Sequence, residues 1–368
     1  MRILHIHKIT GISGSERHLL SLLPALRERG VDARFLGLDV PGTDAARFYS
    51  ELAAAGVPSQ HVRCTFDVNP RMAVNVVRAV RRSEPDLIHT HLVHADIYGS
   101  IASRATRVPL VSSRHNDDRY LLGGFRHIDR VFARRARKII AISDAVRIFL
   151  ERAGLPRSKL VTVHYGLDAL PSAASEVTPP ELGIRPDAPL LLAIGRLIAQ
   201  KDHETLLRAF AGVRDSHPEA VLAILGAGPL EAETRQLVTS LRLDGAVHLP
   251  GRIETRDWLE RADVFVHTSR WEGFGIVLLE AMLAALPIVA TRVSAVPEVV
   301  VDGLTGALVE PGDVAALSSA LSRVLEDADH ARELGRHGLE RARTEFSIGN
   351  MVDGTLAVYD AASHLAAR

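Results

Sequence analysis

The chain has 368 residues, 47% of them apolar, enough to bury two cores, which excludes a disordered or collagen-like polymer. Lys and Arg number 44 and Asp and Glu 44, so the total charge does not advertise nucleic acid, but the balance hides a split: residues 1–168 hold 26 basic and 16 acidic side chains, net +10, and the remainder is net −10. A single cysteine, Cys64, permits neither an internal disulfide nor a Cys-based metal cage, a pattern that fits a reducing cytoplasm.

The opening apolar segment is too short for a secretion signal and lacks a small-residue cleavage site, so it is expected to be a strand, residues 3–7. The longest oily stretch, 276–290, carries Glu280 and Pro287 and falls short of the roughly 20 residues a bilayer crossing needs. A cytoplasmic protein is the expectation, with peripheral contact at the inner membrane face as the one route to a lipid. After the first strand, Thr10-Gly11-Ile12-Ser13-Gly14-Ser15-Glu16-Arg17 opens onto a helix expected over 18–29. Glycines at such a turn let backbone amides approach an anion, Gly14 being the candidate, although a plain tight turn is written the same way.

Further strands are expected at 33–38, 87–90, 110–113, 138–142 and 160–163, alternating with amphipathic helical stretches as in a parallel sheet covered on both faces. His89-Thr90-His91 sets two imidazoles on one face of an extended segment, with His94 following. No open carboxylate cluster stands beside them, so no metal site is expected, and all three are assigned instead to contact with an acceptor. The basic run 126–138 places Ile128, Val131, Phe132 and Ala136 on one side of a helix. It reads either as peripheral contact with an anionic membrane or, more ordinarily, as a solvated helix packed on its own sheet. Aromatic content of 5%, with no stacking platform among the cations, argues against nucleic acid.

Residues 170–189 contain five prolines and are expected to be a linker. The alternation then restarts, with strands expected at 190–194, 220–225, 247–249, 264–267, 288–290 and 307–309. The fold class is therefore α/β: two Rossmann-like doubly wound domains, expected to face one another across a cleft. The boundaries are 1–169, the linker 170–189, 190–346, and a final helix 347–368 that crosses back to the first domain.

Chemistry in such sheets sits in loops after strands. Gly195-Arg196-Leu197 leaves the strand 190–194, and Lys201 follows five positions after the arginine. Two cations there, in an otherwise acidic half, suit a diphosphate; a surface pair is the plainer alternative. Trp271-Glu272-Gly273-Phe274-Gly275-Ile276-Val277-Leu278-Leu279-Glu280 turns from a strand into a helix. Glu272 precedes the helix and is able to meet a ligand, whereas Glu280 sits in an apolar turn where an unpartnered carboxylate is costly. Sugar hydroxyls would satisfy both; a capping acid and an interior salt bridge would do so too. Arg252 and Ile253, after the strand 247–249, are candidates for contact with a base.

Gly14 with Glu16-Arg17, His115, Gly195-Arg196-Leu197, Lys201, Gly226-Ala227-Gly228-Pro229, Glu272 to Glu280, and Pro297-Glu298 with Asp302-Gly303 and Thr305-Gly306 together resemble the GT-B glycosyltransferases of family 4. The match runs in order along nearly the whole chain. It departs from the usual pattern at Tyr165-Gly166-Leu167-Asp168, Ser13-Gly14, Ser294-Ala295 and Ala227.

The resemblance implies a retaining transferase that needs no metal and no cofactor, with a nucleotide-diphosphate sugar as co-substrate. It implies an N-terminal half for a sugar, lipid-linked or small-molecule acceptor, which the net positive charge suits to an anionic one, and a C-terminal half for the donor. Arg196 and Lys201 would hold the diphosphate with the amides of Gly14, Gly275 and Ile276; Phe274 and Val277 belong to the same donor-binding turn. Glu280 would take the ribose, Glu272 the transferred sugar, and His115 would lie near the reacting carbon. A sugar-nucleotide epimerase would instead act on the donor alone, a nicotinamide oxidoreductase would need a fuller glycine fingerprint, and a non-catalytic nucleotide-sugar sensor would bind without turnover.

Overall fold

The computed structural model describes residues 1–43, 45–64, 69–116, 130–171 and 175–364. The chain divides into two compact units, Met1–Gly166 with Ser347–Arg368, and Leu167–Phe346.

The first unit is built on a seven-stranded parallel sheet: β1 (Arg2–Ile9), β2 (Asp32–Asp39), β3 (Ser59–Arg63), β4 (Leu87–His91), β5 (Leu110–Arg114), β6 (Lys138–Ala141) and β7 (Leu160–Thr162). Their order is β3-β2-β1-β4-β5-β6-β7. The interior strands are buried along almost their whole length, as strands covered on both faces must be. β3 was not expected from the sequence: it is an edge strand, Ser-Gln-His-Val-Arg, alternately exposed and half-buried, with too little apolar pattern to register. The first helix, α1 (Gly14–Glu28), begins four residues before the expected start, because Ser13 is its N-cap and the Glu16 carboxylate folds back to accept from the Ser13 amide. One face of the sheet is sealed by the terminal helix Ile348–His364, which contributes Met351, Val352, Val358, Tyr359 and Ala362 to the core.

The second unit repeats the plan with six parallel strands: β8 (Leu190–Ile194), β9 (Val221–Leu225), β10 (Val247–Gly251), β11 (Val264–His267), β12 (Ile288–Thr291) and β13 (Gly306–Val309), ordered β10-β9-β8-β11-β12-β13. Leu191, Leu222, Val264 and Val289 from four neighbouring strands meet Leu206, Phe210 and Leu321 in one core. The proline-rich stretch is held against this unit: Trp258 Nε1 donates to the Val177 carbonyl at 2.9 Å, and Arg261 Nη2 donates to the carbonyls of Pro186 and Ala188 at 2.8 and 2.6 Å.

In each sheet the strand order reverses once, between β1 and β4 and between β8 and β11. At such a switch point the loops leaving two adjacent strands run in opposite directions and open a crevice at the carboxyl edge. The Arg196–Lys201 loop follows β8 and the Glu272 loop follows β11, so the topology itself brings them together.

Candidate active site

Glu272 is the hub of the crevice beyond β8 and β11. Its Oε2 lies 2.5 Å from Lys201 Nζ and 3.1 Å from His267 Nε2, and accepts from Ser269 Oγ at 3.2 Å. All three bonds fall on one oxygen, leaving Oε1 with no hydrogen-bond partner among the described residues. Burial alone would raise this carboxyl's pKa, but the Lys201 charge and the hydrogen bond from His267 outweigh it and hold the group well below the usual carboxylate range. Glu272 is therefore a fixed carboxylate. The His267 pKa is lowered too, chiefly by burial and then by the Lys201 charge, which for an imidazole favours the neutral form at pH 7.

The two loops are stitched together by backbone groups. Thr268 Oγ1 donates to the Lys201 carbonyl at 2.9 Å, the Arg270 amide to the Gln200 carbonyl at 2.8 Å, and Gln200 Nε2 to the Trp271 carbonyl at 2.9 Å. Arg270 pairs with Asp202 at 2.9 Å. A third loop supports them from below. Gly226 has φ +150°, and a Cβ there would overlap the Gly195 carbonyl; Leu197 donates its amide to the Ala227 carbonyl at 3.1 Å. Lys201 lies across Gly195, where a Cβ would stand 3.2 Å from its Cε.

Arg196 is exposed and makes no ion pair among the described residues, while its carbonyl is bonded to His203 Nε2 at 3.2 Å. The backbone of the cationic loop is thus tied down while the guanidinium stays in solvent. Gly275 caps the helix Ile276–Leu283 in the left-handed region, φ +85°, and the amides of Ile276 and Val277 at the helix start lack an intrahelical acceptor, as first-turn amides do. Phe274 is buried edge-on against Phe346, which anchors the turn. Glu280, one turn further on, is buried at 2% exposure. Ile253 is half-buried on the loop after β10. The structure thus gathers Arg196, Lys201, Glu272, Phe274 and Gly275 to Val277 onto adjoining loops. His267, the last residue of β11, and Ser269, just beyond it, hold Glu272 and were not expected, because nothing local in the sequence shows their side chains turning toward the acid.

In the first unit, Gly14 opens α1 as its first residue. Glu16 is occupied structurally: its Oε1 is 3.1 Å from His7 Nε2, and although burial opposes it, the His7 contact and the Ser13 bond lower its pKa to about 2. His115 follows β5 and is 9% exposed, with Nε2 3.0 Å from His91 Nδ1 and Nδ1 bonded to the Tyr165 hydroxyl. His89 and His91 are entirely buried, and their nitrogens bond to Ser113, Tyr359, His5 and His115. The expected acceptor contact is therefore corrected for these two: side chains on a sheet face sealed by a helix have no surface to offer. His94 lies apart from them, half-buried on the helix Leu92–Thr106 beside Tyr98. Leu92, which begins that helix, has φ +68°, a strained conformation for a non-glycine residue.

Residues 126–129 of the basic run, and Asp117 and Asp118, lie outside the described residues. Of the rest, Arg130 donates to the Ala153 carbonyl at 3.0 Å and Arg135 to Ser103 Oγ at 3.0 Å, whereas Val131 is 61% exposed. Among the described residues no helix is long and apolar enough to cross a membrane.

Comparison with known proteins identifies this arrangement. Residues 12–169 match the model of Glycosyltransferase Family 4 and residues 175–341 that of Glycosyl transferases group 1. Alpha-maltose-1-phosphate synthase of Mycolicibacterium smegmatis is 30% identical over 305 residues, covering 74% of this chain and 78% of the relative. The Mycobacterium tuberculosis enzyme of the same name is 28% identical over 94% of this chain and 95% of its own. Among solved structures, Anabaena HepE in complex with UDP-glucose superposes with a TM-score of 0.84 at 23% identity, over 98% of this chain and all (100%) of that one. Sucrose-phosphate synthase from Thermosynechococcus elongatus gives 0.80 at 21%, over 100% of both. The chain belongs to the family 4 glycosyltransferases of GT-B fold, and is a glycosyltransferase.

Proposed function

We propose that the enzyme moves a sugar from a nucleotide-diphosphate sugar to an acceptor hydroxyl with retention of anomeric configuration and without a metal ion. The observation that carries this reading is the Lys201–Glu272 pair, 2.5 Å apart beside an exposed Arg196 at the switch point of the second sheet. As the bond from the anomeric carbon to the phosphate oxygen breaks, its electron pair goes to the leaving diphosphate. Arg196, Lys201 and the amides of Ile276 and Val277 meet that growing charge, more strongly in the transition state than in the ground state. The acceptor oxygen attacks the face the leaving group departs from, and its proton passes to the departing phosphate oxygen, so no protein carboxylate need act as nucleophile.

Glu272, kept ionised by Lys201, accepts hydrogen bonds from hydroxyls of the transferred sugar through Oε1. Glu280 takes the ribose, Ile253 flanks the nucleotide, and Phe274 anchors the donor-binding turn from within. The acceptor is a sugar, lipid-linked or small-molecule hydroxyl, and an anionic one is favoured by the net +10 of residues 1–168. Contact with an anionic membrane through residues 126–138 would bring a lipid-linked acceptor within reach.

A thermal-shift panel of UDP, GDP, ADP and TDP sugars, with and without magnesium, tests the reading. Selective stabilisation by one donor, unchanged by magnesium, followed by product NMR showing the donor's own anomeric configuration, is the expected outcome. An inverted product or an absolute need for magnesium would overturn it.

A further inference from the structure

Two short repeats, His5-Ile6-His7 on β1 and His89-Thr90-His91 on β4, lie in register on adjacent strands, His5 opposite His89 and His7 opposite His91. On one face of the sheet this assembles a run of rings with no gap. Tyr165 bonds to His115 Nδ1, His115 Nε2 is 3.0 Å from His91 Nδ1, and His91 Nε2 is 3.0 Å from His5 Nδ1. His5 Nε2 then lies 3.5 Å from the Tyr359 hydroxyl, which is 2.7 Å from His89 Nδ1, and His89 Nε2 ends the run 2.7 Å from Ser113 Oγ.

A neutral imidazole has one donor and one acceptor nitrogen. At every link but the ends, an Nε2 faces the Nδ1 of the next ring or the same phenol. One mismatched tautomer would set two hydrogens or two lone pairs against each other in a buried place, so only two arrangements satisfy the whole run: all four rings protonated on Nε2, or all four on Nδ1.

We propose that His115, His91, His5 and His89 form a single hydrogen-bond chain that locks all four in one common neutral tautomer. The chain is a lock and not a conduit, because Ser113 has no onward acceptor among the described residues. Its least buried members are His115 and Tyr165. The surroundings keep the rings neutral: burial above all, and then the neighbouring histidines, disfavour the imidazolium form. His5, His89 and His91 bring their nitrogens within 4.8 Å of one another, as metal ligands would. A divalent ion there would bury two charges with no carboxylate touching those three rings among the described residues, whereas the chain leaves every one of their nitrogens paired.

The inference goes beyond the proposed reaction and is tested without turnover, by ¹⁵N NMR of the full-length, ¹⁵N-histidine-labelled enzyme at pH 7.5. Four buried neutral histidines sharing one tautomer are expected; mixed tautomers or an imidazolium among them would overturn the lock. Tyr359→Phe removes the link between His5 and His89, and Tyr359 has no contact with His115 among the described residues. Appearance at His115 of more than about a tenth of the other tautomer is expected, because His115, His91 and His5 can then invert together without a mismatch at the phenol. A His115 spectrum unchanged in a folded Tyr359→Phe protein would contradict long-range coupling. Zinc added to the wild type is expected to leave the four signals in place; their stoichiometric loss or shift would assign the cluster to a metal instead.

Discussion

Lys201 Nζ stands 2.5 Å from Glu272 Oε2, with both side chains less than one-fifth exposed, at 16% and 12%. The cation proposed to receive the leaving group is therefore already desolvated and aimed before any ligand arrives. A surface lysine would first have to shed water and lose side-chain freedom. Here those costs are met in folding, by the loop bonds from Thr268, Arg270 and Gln200.

Glu272→Gln keeps the size of the acid and removes its charge. Lys201 is then left partly buried without its counter-ion, and the sugar loses a charged acceptor. We expect kcat to fall about 10²-fold, with donor affinity changing less than tenfold, in steady-state kinetics and donor titration. An unchanged kcat would place the sugar elsewhere.

The enzyme should turn over in excess EDTA at a rate within about twofold of that in magnesium, since two cations and the helix-start amides supply the charge that an ion would bring. A rate that collapses on chelation and returns with magnesium would contradict this.

Stability should fall in acid. His5 and His18 are lowered to about 3, and His89, His91 and His115 well below 6.5, mainly by burial. Above pH 6.5 these rings are neutral whether folded or not; below it the unfolded chain takes up protons that the folded one refuses. Each such ring removes up to about 1.4 kcal/mol per pH unit as pH drops from 6.5 toward its folded value. Glu16, lowered to about 2 from 4.5, adds to the loss below pH 4.5. Calorimetry should find Tm flat from pH 8 to 7 and falling steeply below 6; a Tm unchanged down to pH 4.5 would refute it.

Gly226→Ala sets a methyl group onto the Gly195 carbonyl at a φ that alanine avoids. We expect a loss of about 1–3 kcal/mol in denaturant unfolding and a raised KM for the donor, because Gly195 carries the cationic loop. Wild-type values for both would mean that the loops move independently.

Much of this was legible in the amino-acid order. The strand-loop-helix alternation gives both sheets, since buried parallel strands are continuous apolar runs, and Arg196, Lys201 and Glu272 stand at strand ends where the topology then joins them. What escaped depended on partners distant in sequence. β3 carries no apolar alternation and exists because β2 offers it an edge. His89 and His91 read as acceptor contacts until β1 set His5 and His7 beside them and the terminal helix covered them. His267 passed as the end of a strand because nothing local shows that its ring turns toward Glu272.

The most direct test of the central claim is single-turnover kinetics at saturating donor and acceptor for the Arg196→Ala, Lys201→Ala double variant, with donor occupancy confirmed by calorimetry. The account predicts that the bound sugar is transferred at least about 10³-fold more slowly than in the wild type. Transfer at the wild-type rate from a fully occupied site would contradict it.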